Sequence, residues 1–142
     1  MRSILVDAGP LIALFAVDDE RSGHFDALFA ELANQGLRLL TTWPCVIEAT
    51  YLLGSPQRYE LLKWIETGGA QIHPFEPHHL ADMVAWMKRY SEPRKREMDL
   101  ADASLYWLAN ETGITEIMTT DVADFSRYRL PDGRTFTVVT HA

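Results

Sequence analysis

Short β-rich runs alternate with longer segments of helical period along the whole chain, and that alternation restricts the folds open to it. Ile4-Leu5-Val6 is an apolar run that ends at Asp7. Gly9-Pro10 then starts a helix through Leu11, Leu14 and Phe15, with the proline in its first turn. From Glu20 to Ala33, Phe25, Leu28, Phe29 and Leu32 fall at helical spacing, and Gly36 stops that segment. Leu37 to Thr42 reads as a second strand. Pro44 to Leu53 and Gln57 to Thr67 read as helices broken by Gly54-Ser55-Pro56. Ala70 to Phe75 is a third strand and His78 to Tyr90 a further helix. Asp99 to Thr112 is a strongly patterned helix closed by Gly113. Thr115 to Thr120 is a fourth strand ended by Asp121, and Thr135 to Val139 a fifth after the turn Pro131-Asp132-Gly133. Strands separated by helices imply right-handed crossovers and a parallel sheet covered on both faces. The expected class is α/β with about five mainly parallel strands. No repeat, low-complexity tract or linker interrupts the pattern, so residues 1–142 are read as one domain.

Composition bounds the function. At 142 residues, 47% hydrophobic and 23% charged, the chain has the make-up of an ordinary globular protein and not of a disordered one. Its single cysteine, Cys45, can form no internal disulfide and supplies no Cys-based zinc site, which fits a reducing compartment. The first apolar run is interrupted by Asp7 and stops at Asp18-Asp19-Glu20, short of the roughly 18 uncharged residues of a membrane span. Asp7 would also sit inside the apolar region of a signal peptide. A cytoplasmic location, without membrane attachment, is expected.

The net charge of -7 argues by itself against a nucleic-acid partner. The cations are clustered, however. Lys88, Arg89, Arg94, Lys95 and Arg96 place five of the thirteen within nine residues, and Arg127, Arg129 and Arg134 form a second group. The partner is therefore not decided by net charge.

In an open parallel sheet, ligands bind beyond the carboxyl ends of the strands. Asp7 and Asp121 close the first and fourth strands. Glu48 lies in the helix after the second, and Asp102 in the first turn of the helix opened by Asp99. Four acids distant in sequence thus meet at one edge. Like charges that close stay ionised only beside a cation, and hard oxygen ligands suit Mg²⁺ or Mn²⁺ better than Zn²⁺. Each acid also fits a structural role. Asp is a common turn residue, Asp99 is a plausible helix cap, and Asp102 complements the helix dipole. Their joint placement, more than any one of them, points to metal-dependent phosphodiester chemistry.

Three stretches carry a resemblance to a known family: ILVDAGPLIAL, WPCVIEATYLL and MDLADASLYWLANETGITEIMTTDVADFSRYR. Nearly end to end, the chain resembles the PIN-domain family, and within it the VapC-type toxins of toxin–antitoxin pairs. The resemblance implies a three-layer α/β/α fold and a Mg²⁺- or Mn²⁺-dependent endoribonuclease. On it, Asp7 and Asp102 are the main metal ligands, and Glu48 and Asp121 complete the acidic quartet. Asp99 and Asp124 match extra acids with a supporting role or a second metal, and Thr120 is expected to hydrogen-bond a site carboxylate or a water. A cognate antitoxin protein is implied as partner.

Arg94, Lys95 and Arg96 precede Asp99 and are candidates, with Arg127, for the RNA backbone. A solvated loop, or pairing of Arg127 or Arg129 with Asp124 or Asp132, is the alternative. The histidines are scattered, and His78-His79 is read as surface. The four tryptophans are expected to pack in the core or an oligomer interface. Phe15, Phe25, Phe29, Leu52 and Leu53 offer more apolar surface than one small domain needs, which favours a homodimer face or an antitoxin groove. A phosphotransfer domain would want a second acid beside Asp7 and a late lysine, yet Ala8-Gly9 follows and no lysine occurs after Lys95. No G-x-G-x-x-G follows a strand, which excludes dinucleotide binding. A non-catalytic PIN-like binding module would lack an acid, and none is lacking.

Overall fold

A computed structural model describes residues 1–17, 22–92 and 96–140. The five strands are β1 (Arg2–Val6), β2 (Leu37–Thr41), β3 (Gln71–Ile72), β4 (Glu116–Met118) and β5 (Thr137–Val138). They form one sheet in the order β3-β2-β1-β4-β5, and every pairing is parallel. The continuous apolar run of β1 explains its central place, since Ile4, Leu5 and Val6 are fully buried between two layers.

The helices are α1 (Ala8–Phe15), α2 (Ser22–Ala33), α3 (Trp43–Leu52), α4 (Gln57–Glu66), α5 (Leu80–Arg89), α6 (Leu100–Thr112) and α7 (Val122–Arg127). The chain steps outward from β1 to β3 and then returns to the other side of β1. Right-handed crossovers therefore put α1–α4 on one face and α5–α7 on the other. The packing agrees: α1 touches α2, α3 and α4, while α5 lies on α6 and α7 on β5. One helix from each group, α3 and α6, also meet. Together they make three layers, α/β/α.

Helix α6 is the most enclosed, with every residue from Ala101 to Ala109 buried. Its start is capped by the Asp99 side chain and its end by Gly113, whose φ of 78° few other residues adopt without strain. The aromatic side of the core joins Tyr106, Phe125, Tyr128 and Phe136.

Several elements are shorter than the pattern predicts. β3 ends at Ile72 rather than Phe75, because Pro74 has no N–H to continue a ladder. Only the His73 N–H extends the pairing, to the Thr41 carbonyl at 3.1 Å. β4 ends at Met118, and Asp121 stands three residues beyond it as the cap of α7, a helix the pattern does not predict. The segment expected to be helical from His78 begins as a 3-10 turn over Pro77–His79. There the Glu76 N–H donates to His79 Nδ1 at 2.8 Å, so His79 is a cap.

Phe25 and Phe29 are core residues, not a docking face. Exposed apolar surface lies along α3, at Trp43, Ile47, Tyr51 and Leu52, of which Leu52 is among the residues expected to offer it. Trp107 is buried and Trp64 and Trp86 pack on the core, whereas Trp43 is half exposed. Among the described residues, no helix is long and apolar enough to cross a membrane.

Candidate metal centre

The strand order reverses between β1 and β4, and open parallel sheets bind their ligands beyond the carboxyl ends at such a point. Asp7 follows β1 directly, and its N–H still bonds the Met118 carbonyl at 3.0 Å. It caps α1, accepting the Ala8 N–H on Oδ1 at 2.8 Å, and it accepts the Thr119 hydroxyl on Oδ2 at 2.7 Å. The same Thr119 oxygen accepts the Asp121 N–H at 2.9 Å. One hydroxyl thus orients a carboxylate from β1 and the backbone of the acid after β4.

That role falls to Thr119 and not to Thr120, whose side chain lies against Gly9. A Cβ on Gly9 would stand 2.3 Å from Thr120 Oγ1 and 3.1 Å from its Cβ. A short branched side chain has little room to yield, so Gly9→Ala should cost about 1–3 kcal/mol of stability and disturb the Thr119–Asp121 turn. Thermal denaturation of the variant measures this, and an unchanged midpoint would reject it.

Asp102 comes from the first turn of α6. Its N–H donates to Asp99 Oδ1 at 2.8 Å, and its own Oδ2 accepts the Tyr128 hydroxyl at 2.7 Å. Asp7, Asp102 and Asp121 each offer a carboxylate oxygen within 4.8 Å of the others. Asp7 and Asp102 are buried while Asp121 is exposed, so the trio has a closed floor and an open side.

The electrostatics follow from that crowding. Burial raises Asp7 to about 6, against which the bonds from Thr119 and Ala8 work, and Asp121 and Glu48 add repulsion. Burial raises Asp102 to about 8, with repulsion from Asp7 and Asp99 adding to it. Glu48 is raised by burial first, then by Asp99 and Asp121. Burial next to Asp7 pushes the Cys45 thiol well up, so it stays protonated. A buried, protonated thiol is no nucleophile. Three carboxylates that repel one another and contain no sulfur or imidazole donor suit a small divalent cation of the Mg²⁺ or Mn²⁺ kind.

The other expected site residues divide clearly. Glu48, on α3, stands outside the trio but within its electrostatic reach. Asp99 uses one oxygen to cap α6. Asp124 pairs with Arg127 Nε at 3.2 Å, one helical turn on, and is not in the trio. Arg127 also lies over the Tyr128 ring, 4.9 Å from its centroid. Arg129 donates to the carbonyls of Ser126 and Tyr128, and Arg134 pairs with Asp132 at 2.6 Å. Arg96 is exposed and bridged to Glu92, while Arg94 and Lys95 lie outside the described residues. Tyr128 and Thr119, the hydroxyl donors to the two buried acids, are absent from the sequence-based set.

An all-parallel three-layer domain with acids gathered at its switch point defines a class of α/β proteins. The chain belongs within it to the PIN domain family, whose pattern matches residues 4–130. Among solved structures it is similar to VapC20 of Mycobacterium tuberculosis, described as a sarcin–ricin loop cleaving toxin. The TM-score is 0.68 at 18% identity, over 85% of this chain and 92% of that one, which is a likeness of fold. No curated protein matches the chain.

Proposed function

We propose that the chain is a metal-dependent endoribonuclease, the toxin of a VapBC-type toxin–antitoxin pair acting in the cytoplasm. The observation that carries the reading is the approach of three carboxylates within 4.8 Å at the switch point of a PIN fold. Asp7 and Asp102 hold the cation, and Asp121, on the open side, completes its protein ligands. A bound Mg²⁺ or Mn²⁺ supplies charge neutralisation and Lewis acidity toward a phosphodiester. Glu48, outside the trio but close enough to feel Asp121 and Asp99, is assigned the proton of the attacking water. Asp99 acts through Asp102 by capping the turn that carries it. The exposed apolar stripe of α3 is assigned to protein partners, the antitoxin or a second copy of the chain.

The test is incubation of total cellular RNA, and of an oligonucleotide carrying a sarcin–ricin loop, with purified partner-free protein. Discrete fragments with Mg²⁺ or Mn²⁺ and none with EDTA are expected. Intact RNA under every metal, with the protein folded, would contradict the reading.

Arg94, Lys95 and Arg96 are assigned to the RNA backbone ahead of Asp99. The double variant Arg94→Glu/Arg96→Glu should bind RNA more weakly. Its log–log salt dependence should be shallower by about 0.7 for each phosphate no longer neutralised. Filter binding across a salt series reads both, and unchanged affinity and slope would return the loop to plain solvent exposure.

A further inference from the structure

We propose that Tyr128 is a positioning residue of the metal centre, its hydroxyl fixing the Asp102 carboxylate for the cation; the inference rests on the metal-centre reading above. Among the described residues, this phenol is the one hydroxyl or N–H that donates to the Asp102 side chain. The donor and acceptor are 26 residues apart and both are buried, so the bond is a product of the tertiary fold.

The phenol is itself held on several sides. Its ring meets Phe125 edge-on at 5.1 Å and Tyr90 at 5.1 Å, with the Arg127 guanidinium 4.9 Å above it. The next residue is clamped by its backbone. Tyr90 Oη donates to the Arg129 carbonyl at 2.9 Å and accepts the Arg129 N–H at 3.1 Å, and Tyr106 Oη donates to the same carbonyl. A hydroxyl carried on so fixed a ring has one direction to point, toward Asp102 Oδ2. The two buried acids are therefore treated alike: Thr119 orients Asp7 and Tyr128 orients Asp102. Donors behind a ligating carboxylate usually change metal affinity by about 10–100-fold when removed.

Tyr128→Phe keeps the ring packing and deletes only the hydroxyl. Mn²⁺ binding, followed by calorimetry and by the free-ion spin resonance signal, should weaken about 10–100-fold. The Mn²⁺ concentration for half-maximal RNA cleavage should rise by the same factor, with the rate at saturating Mn²⁺ largely recovered. Tyr128→p-aminophenylalanine, which keeps a donor at the same place, should regain most of the affinity. A folded Tyr128→Phe protein that binds Mn²⁺ as the wild type does would overturn the role of Tyr128 alone. Failure of the p-amino variant to regain affinity would overturn it too. A wild type that binds no Mn²⁺ would overturn the metal centre itself, and this proposal with it.

Discussion

Asp7→Asn and Asp102→Asn are each expected to abolish RNA cleavage while leaving the fold intact, a loss exceeding the roughly 100-fold typical of changes behind a ligand. An amide oxygen still accepts the Thr119 or Tyr128 hydroxyl, although at position 7 the new NH₂ replaces the oxygen that accepts the Ala8 N–H. What disappears is a formal negative charge in a site whose cation depends on it. Glu48→Gln should behave differently, because Glu48 stands outside the close trio. It is expected to lower the rate while leaving Mn²⁺ affinity nearly unchanged. Single-turnover rates on one defined fragment, with Mn²⁺ titrated for each variant, separate the two kinds of loss. Metal-dependent cleavage retained in both Asp variants would remove the trio from the chemistry.

The second large effect runs opposite to the usual consequence of a site mutation. Without metal, Asp102→Asn should stabilise the protein at pH 8. The folded chain holds Asp7 at about 6 and Asp102 at about 8, both above the ordinary 3.8 of an unfolded aspartate. Between about pH 4 and pH 8 the folded state therefore keeps protons that the unfolded state has lost. Stability must then fall as pH rises through that window and level off above it. Each tenfold change in proton affinity corresponds to about 1.4 kcal/mol. Removing the Asp102 charge should therefore return several kcal/mol at pH 8, read as a clear rise in Tm. In excess Mn²⁺ the gap should narrow, since only the wild type gains from binding the ion, by about 2.7 kcal/mol at one hundred times the Kd. Melting curves of both proteins in EDTA and in Mn²⁺, at pH 6 and pH 8, read this narrowing. A wild type more stable than Asp102→Asn in EDTA at pH 8 would contradict it.

The acids and their supports differ in how far the sequence discloses them. Asp7 is legible because it breaks an apolar run, and such runs mark buried parallel strands. Asp102 is legible through Asp99, whose spacing from it is that of a helix cap and the third residue of the first turn. β4 reads too long because Ile117-Met118-Thr119-Thr120 has strand propensity throughout. Thr119, however, spends its hydroxyl on Asp7 and on the Asp121 N–H, and that local bond turns the chain out of the ladder. α7 escapes notice because six residues are too few to display a helical period. Tyr128 stands in a segment whose pattern shows no hint of Asp102. Its partner is set by how α7 packs against α6, and local sequence carries no record of that. Arg127 illustrates the reverse. Its pairing with Asp124 is legible one helical turn away, and the structure adds the guanidinium over the Tyr128 ring.

The most direct test is to locate the ion: anomalous scattering at the manganese edge from crystals grown or soaked with Mn²⁺. A peak ligated by carboxylate oxygens of Asp7, Asp102 and Asp121, lost in Asp102→Asn crystals, is the predicted result. Ordered, well-diffracting crystals with no peak there at saturating Mn²⁺, or with the ion held elsewhere, would contradict it.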